Sequence, residues 1–289
     1  MSRRGIFTKL YRQLPGFREL AQVLELVRRI EAEVTALRMT EVIRLLDFEL
    51  GRHPRYQDPL RLPRHWAQVN SQNGEDGIIR EIFRRIGTTN RVFAEVGVGD
   101  GTENNTLFLH AQGWTGFWID GSDDFRRQLG KLNKVRDLKC LFSFVRKENI
   151  QGLFEQLGVP EAFDLLSLDI DQNTFHGWEG LSRFRPRVVV VEYNASIPPD
   201  LDWKVAYDGD RVWDGTVNFG ASLKAFELLG RQLKYSLVGC DFTGANAFFV
   251  REDLVGDLFA GPFTSENHYE PARYALRNRR GHATAALDR

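Results

Sequence analysis

The chain has 289 residues, of which 42% are hydrophobic and 27% charged, a composition typical of one large globular domain or of one domain with an appendage. Its 39 basic and 39 acidic residues cancel, so nothing in the overall charge favours binding to nucleic acid. The two cysteines, Cys140 and Cys240, form neither a CxxC pair nor a metal-binding spacing, which predicts a reduced, cytoplasmic protein. We expect no transmembrane helix and no secretory signal, because no apolar run approaches about 18 residues and the N-terminus lacks an apolar core.

The N-terminal residues 1–50 are predicted to form an appendage whose first part is basic. Residues 1–18 carry five basic residues and no acid, with apolar residues at helical spacing that Pro15-Gly16 interrupts. Such a segment can rest on an anionic membrane surface, here at the inner face of the membrane. The alternative is a tail that is flexible or docked on a partner.

The rest of the appendage carries one apolar stripe at helical spacing. Its members follow a 3-4-3-4-3 spacing and are Leu20, Val23, Val27, Ile30, Val34 and Leu37. On a helix this spacing aligns them as in the seam of a coiled coil. The stripe predicts either a helix that packs on its own domain or self-association into a homo-oligomer through residues 20–37.

The segment 51–63 is rich in proline and charge and has no period, so it is predicted to be a linker to a domain of residues 64–289. In that domain, predicted strands and helices alternate. The strands are 91–98, 115–121, 139–145, 163–171, 187–194, 235–242 and 246–251, and the helices 101–113, 123–132, 149–158, 174–184 and 220–233. Continuous apolar strands between helices predict an α/β fold whose mostly parallel sheet is covered on both faces. The short Thr-Gly turn before the last strand predicts an antiparallel pair at one edge.

The sequence "FAEVGVGDGTENNT" at 93–106 leaves the first of these strands with three alternating glycines, Gly97, Gly99 and Gly101. Glycine permits a tight turn and lets a ligand approach the backbone closely. Since ligands of open parallel sheets bind at the carboxyl ends of strands, this loop predicts a nucleotide-like cofactor site. The dinucleotide fingerprint GxGxxG would need a third glycine where Thr102 stands.

The run E-x-G-x-G-x-G from Glu95 to Gly101 resembles motif I of class I S-adenosylmethionine-dependent methyltransferases. The resemblance implies a Rossmann-like fold and S-adenosylmethionine as cofactor, with its amino-acid part against the glycine loop and its ammonium near Glu95. Asp120, which ends the next strand, is then expected to accept hydrogen bonds from both ribose hydroxyls. The alternative for Asp120 is a solvated acid at a strand end.

The resemblance extends over roughly residues 68–252 to the FkbM-like branch of these enzymes. "FDLLSLDIDQNTFHGWEGL" and "RPRVVVVEYN" are similar to two neighbouring segments of that branch, with Asp169 and Glu192 at the matching strand ends. The sequence departs from the pattern where Gln172-Asn173 replace a Glu-Gly pair. "SQNGED" at 71–76 resembles the segment that precedes motif I, which implies that Gln72 and Glu75 lie at the cofactor.

Two strand ends beside the expected methyl group carry oxygen ligands suited to Mg²⁺ or another hard cation: Asp169, Asp171, Glu192 and Asn194. The related macrocin-type sugar methyltransferases hold a divalent metal in this way. A metal lowers the pKa of a bound oxygen, and Asp169 or His176 would take the proton. As alternatives, Asp169 faces only the cofactor, Asp171 caps the next helix, and His176 packs on its helix.

The stretch 197–222 is predicted to be a long loop, and such loops are usually functional. Its candidate substrate-binding residues are Trp203, Tyr207, Trp213 and Asp214. With Phe219 the aromatic members would form a platform for a sugar ring, although the same residues could simply anchor the loop. We therefore expect an O-methyltransferase acting on a saccharide, with a non-sugar small molecule as the alternative acceptor. A catalytically silent, partner-binding module of the same fold is the alternative from a different class.

Overall fold

The computed structural model describes residues 15–274, which form two compact units that divide between Arg52 and His53. The first unit is one helix, α1 (Pro15–Arg52), so the predicted helix is present. The six side chains of the predicted stripe all lie on it with 50% to 69% of their surface exposed. Most of the predicted membrane-contacting segment 1–18 lies outside the described residues. Among residues 15–274, no helix is both long and apolar enough to span a bilayer.

The second unit contains a seven-stranded sheet in the order β3-β2-β1-β4-β5-β7-β6. The strands are β1 (Val92–Val96), β2 (Thr115–Asp120), β3 (Leu138–Phe142), β4 (Ala162–Leu168), β5 (Arg185–Glu192), β6 (Tyr235–Cys240) and β7 (Asn246–Arg251). β1 to β5 run parallel, and β7 is antiparallel to both β5 and β6. The predicted Rossmann-like α/β fold with a mostly parallel sheet is therefore confirmed. The antiparallel strand lies one position in from the edge.

Helices cover the sheet on both faces, as β5 shows most directly. Its four valines, 188 to 191, are fully buried, but 188 and 190 pack into one apolar cluster whereas 189 and 191 pack into the other. Because successive side chains of a strand point to opposite faces, two clusters mean two covered faces.

The helices of this unit are α2 (Glu75–Ile86), α3 (Leu107–Ala111), α4 (Asp123–Leu132), α5 (Ile150–Leu157), α6 (Thr174–Gly180), α7 (Leu223–Gln232), α8 (Glu252–Val255) and α9 (Ser265–His268). α4 and α7 begin where the hydroxyls of Ser122 and Ser222 accept N–H groups of the first turn. α2, α8 and α9 were not predicted. α3 is shorter than the predicted helix 101–113, because Asn105 and Thr106 are bonded to Glu95 instead of continuing a helix.

The segment predicted to be a linker belongs to the larger unit from His53 onward. Tyr56 and Leu62 are buried, with 3% and 0% of their surface exposed. The side chains of Arg55 and Arg61 both donate to the carbonyl oxygen of Asn267, at 3.1 and 2.9 Å. Proline and charge predicted a linker here, but Tyr56 and Leu62 are core residues.

Candidate active site

A cavity of about 470 Å³ opens at the carboxyl ends of β1, β4 and β5. Its walls come from the glycine loop and the residues after it, from Gln72–Glu75, from the ends of β4 and β5, from the β6–β7 turn and from three aromatic residues. This is the edge at which open α/β sheets bind ligands, so the predicted location of the site is where the cavity lies.

The glycine loop follows β1 along the chain and contacts the residue that follows β4, Asp169. Gly97 has a φ of +87°, and a Cβ added there would lie 1.5 Å from the carbonyl oxygen of Asp169. Position 97 therefore requires glycine for both space and conformation. Gly97 and Gly99 line the cavity. Gly101 lies behind it, where a Cβ would be 3.1 Å from the Trp118 ring.

Glu95 lines the cavity but is buried, and its carboxylate is largely occupied by the protein. It accepts from the Asn105 N–H at 3.0 Å and from the Thr106 hydroxyl at 2.5 Å. Burial raises the pKa of Glu95 to about 7, although these hydrogen bonds oppose the rise. Glu95 thus holds the loop after the glycines in place and presents a weakly acidic carboxyl to the cavity.

The role of Asp120 as a ribose ligand stays a prediction, and the structure shows what else its carboxylate binds. It is not among the described residues that line the cavity. One carboxylate oxygen accepts the Gly99 N–H at 2.7 Å, and the other accepts the Ser122 N–H at 2.6 Å. Asp120 therefore shapes the glycine loop, because it ties the backbone of Gly99 to the end of β2.

Gln72 and Glu75, the two residues predicted from "SQNGED", both line the cavity. The buried Glu75 carboxylate accepts from the Asn73 N–H at 2.7 Å and from the Asn246 side chain at 2.7 Å. Burial raises the pKa of Glu75, and the neighbouring Asp76 adds to the rise. The pair Glu75–Asn246 links α2 to β7 across the cavity wall.

The turn before α2 is held by one buried carboxylate that sequence reasoning missed. An oxygen of Asp76 accepts the N–H groups of Val69, Asn70 and Ser71 at 2.7 to 2.8 Å. The signal was available, because two acids in succession after polar and glycine residues are typical of a helix beginning.

Three carboxylates at the ends of β4 and β5 meet in the cavity, as predicted for a metal site. Asp169, Asp171 and Glu192 each have one oxygen within 4.8 Å of the others. Burial and the charge of Asp171 raise the pKa of Asp169 to about 6. Asp171 has a φ of +51°, an uncommon conformation for a residue with a side chain, and does not cap α6, whose N-cap residue is Asn173. Three oxygen donors this close together suit a hard divalent cation, which would offset their repulsion.

Asn194, predicted as a fourth metal ligand, has a different role. Its fully buried side chain donates to the carbonyl oxygens of Val217 and Phe219, at 2.8 and 3.0 Å. Its own oxygen accepts the Ser196 N–H at 3.1 Å. These bonds make Asn194 an anchor of the long loop, and Asn194 is not among the described residues that line the cavity.

Gln172-Asn173, the pair that departs from the FkbM-like pattern, holds the same loop. The Gln172 amide donates to the Asn218 carbonyl at 3.2 Å, and the Asn173 amide donates to the Asp208 carbonyl at 2.9 Å. Both side chains are buried. The departure therefore supplies two further anchors for the loop that follows β5.

His176, predicted as a general base, is packed on its helix and is not among the described residues that line the cavity. It is 7% exposed, its Nε2 lies 3.1 Å from the carbonyl oxygen of Val205, and the Tyr207 ring lies 5.0 Å away. The packed position of His176 matches the alternative, a structural histidine. The sequence could not separate the two, because both place a histidine one turn after a strand end.

Of the four predicted substrate residues, Trp213 lines the cavity, together with Phe219, whose ring lies 6.2 Å from it. The Tyr207 hydroxyl donates to Glu148 at 2.5 Å outside the cavity. Asp214 accepts from the Thr216 hydroxyl at 2.6 Å, and Trp203 pairs through its backbone with Ser222. These three residues shape the loop instead of lining the site.

No family model matches this sequence, and no curated protein matches it. Solved structures with a similar fold include a provisionally assigned caffeoyl-CoA O-methyltransferase from Staphylococcus aureus, with 12% identity, a TM-score of 0.44, and coverage of 73% of this chain and 99% of that one. Another is an S-adenosylmethionine-dependent methyltransferase from Clostridium acetobutylicum, with 12% identity, a TM-score of 0.39, and coverage of 72% and 97%. A third is a fibrillarin/Nop5p complex, with 15% identity, a TM-score of 0.36, and coverage of 56% and 72%. Similarity of this degree concerns the fold alone.

Proposed function

We propose that this protein is an S-adenosylmethionine-dependent methyltransferase that methylates a hydroxyl oxygen. The observation that carries the proposal is a single cavity in which the glycine loop of the E-x-G-x-G-x-G run meets the carboxylates of Asp169, Asp171 and Glu192. One wall thus suits a nucleoside cofactor, and another supplies groups that can orient and deprotonate an acceptor.

The charge of the cavity favours S-adenosylmethionine over a dinucleotide. Seven carboxylate residues line it, and none of its described lining residues is Lys, Arg or His. A dinucleotide would bring its pyrophosphate against these acids, whereas S-adenosylmethionine brings a sulfonium and an ammonium. Opposite charges attract strongly in a partly buried site, and like charges repel there by a similar amount.

We propose that Asp169, Asp171 and Glu192 hold a divalent cation such as Mg²⁺. A bound cation would lower the pKa of the acceptor hydroxyl, which is otherwise a poor nucleophile at neutral pH. The chain's own part is to bring the three carboxylates together at two adjacent strand ends. In the metal-free alternative, Asp169 accepts the proton directly, since its raised pKa of about 6 suits a base at neutral pH.

A saccharide is the acceptor class we propose. In support, the half-exposed Trp213 and the neighbouring Phe219 offer apolar faces at the cavity, and the carboxylates there can accept hydroxyl hydrogen bonds. Such a combination suits a neutral, hydroxyl-rich ring in a surface polysaccharide or glycoside. A non-sugar alcohol or phenol of similar size is the second candidate, because the aromatic wall would accept it as well.

Calorimetry with S-adenosylmethionine and, separately, with NAD tests the cofactor. Binding of the former and not the latter is expected, whereas binding of NAD alone would overturn the assignment. A partner-binding module without catalysis would bind neither. Transfer of labelled methyl groups to a glycan panel, with a chelator and with added Mg²⁺, then tests the acceptor class and the cation.

For α1 we propose self-association through its exposed stripe, residues 20–37. In support, six apolar side chains at coiled-coil spacing are each at least half exposed. The basic residues 1–18 are proposed to contact anionic lipid. Both cysteines are free thiols, consistent with the cytoplasm as the proposed location.

A further inference from the structure

Five side-chain amides border the cavity: Gln72, Asn73, Asn104, Asn105 and Asn246. Three of them donate to protein acceptors, since Asn73 and Asn246 donate to Glu75, and Asn105 donates to Ser167. Gln72 is only half-buried, so water can form hydrogen bonds with its amide. The amide nitrogen of Asn104 is different, because it is buried and has no hydrogen-bond partner within the described part of the chain.

The orientation of the Asn104 amide is set by its other end. Its oxygen accepts the N–H of Leu107, the first residue of α3, at 3.0 Å. Flipping the amide would place two donors against each other, so the nitrogen must remain on the opposite side. Only 6% of the Asn104 surface is exposed. A buried donor left without a partner is costly, and because Asn104 lines the cavity, a ligand bound there can supply the partner.

The charge of the cavity identifies the kind of ligand atom. The seven lining carboxylates attract the sulfonium and ammonium of S-adenosylmethionine, but they repel its α-carboxylate. That group therefore needs neutral donors. Asn104 follows β1 and the glycine loop, whereas the acids proposed to serve the acceptor lie at or just after the carboxyl ends of β4 and β5.

On the basis of the proposed function, we propose that the Asn104 amide nitrogen binds the α-carboxylate of S-adenosylmethionine. Asn104 would then make the protein select a cofactor that retains its complete amino-acid part. The residue acts by donating a neutral hydrogen bond in a cavity whose described lining residues carry acids and no Lys, Arg or His.

The test is calorimetry on the full chain with S-adenosylmethionine and with decarboxylated S-adenosylmethionine, which differ only in the carboxylate. Asn104→Asp keeps an oxygen for the Leu107 N–H but replaces the donor by a second oxygen. The matched control is Asn90→Asp at the opposite end of β1, where the Asn90 oxygen likewise accepts a backbone N–H, that of Val92.

We expect the wild type and Asn90→Asp to prefer S-adenosylmethionine over the decarboxylated compound. Asn104→Asp should lose roughly 10- to 100-fold in affinity for S-adenosylmethionine, the usual effect of losing a hydrogen bond to a charged group. Its affinity for the decarboxylated compound should be equal or higher, because the variant adds negative charge beside a cation.

An equal loss for both compounds would show that Asn104 only supports the loop, and unchanged affinity for both would also overturn the inference. If Asn104→Asp fails to fold, Asn104→Ser replaces it, since serine keeps an oxygen near Leu107 and shortens the side chain; the same loss of preference is expected. A wild type that binds neither compound would overturn the proposed function itself. A wild type that binds both equally would overturn only this inference.

Discussion

The carbonyl oxygen of Asp169 occupies the space that any side chain at position 97 would enter, 1.5 Å from where a Cβ would lie on Gly97. The first glycine of the cofactor loop and the first acid of the carboxylate cluster are therefore in direct contact through their backbones. The Asp169 N–H also donates to the Val96 carbonyl at 2.9 Å. This backbone contact between the ends of β1 and β4, which we call the joint, thus positions both walls of the cavity.

Gly97→Ala should force this joint apart. We expect at least a 100-fold loss of S-adenosylmethionine affinity and a loss of several kcal/mol of unfolding free energy, because a backbone clash adds to the left-handed φ. Gly113→Ala is the control, since Gly113 has a φ of +83° but nothing within 4 Å of an added Cβ. It should cost only about 1 kcal/mol and leave binding intact. Similar effects of the two variants, measured by calorimetry and urea unfolding, would contradict the role of the joint.

The carboxylate cluster should bind a divalent cation in the folded protein. We expect Mn²⁺ binding, followed by electron paramagnetic resonance, to weaken more than tenfold in Asp169→Asn and in Glu192→Gln, because each removes a charged ligand. Asp214→Asn is the control, since Asp214 is exposed and does not line the cavity. Equal Mn²⁺ binding in all four proteins would place the cation elsewhere.

Asn194→Ala should loosen the long loop without removing a cation ligand. The carbonyls of Val217 and Phe219 lose the donor that the Asn194 side chain supplies, which should lower the free energy of unfolding by about 1–3 kcal/mol. Limited proteolysis should then cut within 203–219 faster than in the wild type, while Mn²⁺ affinity stays the same. Asn218→Ala, at an exposed position of the same loop, is the control. A large loss of Mn²⁺ affinity in Asn194→Ala would restore Asn194 as a ligand.

His268 should make the protein less stable in acid. Burial, with a smaller contribution from nearby Arg61 and Arg55, lowers its pKa to about 3. The folded histidine is therefore neutral where the unfolded one, with a pKa of about 6.5, gains a proton. Because the unfolded state binds more protons, stability should fall as the pH drops from about 6.5 towards 3, by up to roughly 1.4 kcal/mol per pH unit.

The measurement for His268 is urea unfolding between pH 7 and pH 4. His268→Asn should show a shallower loss over this range than the wild type, although its stability at pH 7 should also be lower because a buried ring is removed. His53→Asn, at an exposed histidine, should keep the wild-type slope. An unchanged slope in His268→Asn would exclude His268 as a source of acid sensitivity.

The stripe of α1 should hold copies of the chain together. Light scattering of the full chain should show an oligomer, and the double variant Val27→Glu, Ile30→Glu should lower its mass, because two charges enter the apolar seam. Gln22→Glu, at an exposed position outside the stripe, should leave the mass unchanged. A monomeric wild type, or a double variant of unchanged mass, would contradict self-association.

Patterns of short range were sufficient to predict most of the fold. The apolar strands and the serine-capped helices α4 and α7 are set by neighbours in sequence, and they lie close to their predicted positions. The glycine loop and the three acids were also predictable, because strand ends of a parallel sheet converge on one edge. α2 was missed although two successive acids, Glu75 and Asp76, mark its beginning, where the Asp76 carboxylate bonds residues five to seven positions earlier.

The sequence by itself determined the sheet, the position of the site and the presence of acids and amides near it. Only the tertiary structure decided what each polar side chain does. Asn194 and His176 have the right chemistry for a ligand and a base, but Asn194 is bonded to two carbonyls of the long loop, and neither residue is among the described residues that line the cavity. The physical reason is that a buried polar atom must find a partner, and that partner often lies far away in sequence. Among the described residues that line the cavity, the same requirement singles out Asn104, whose buried nitrogen has no such partner.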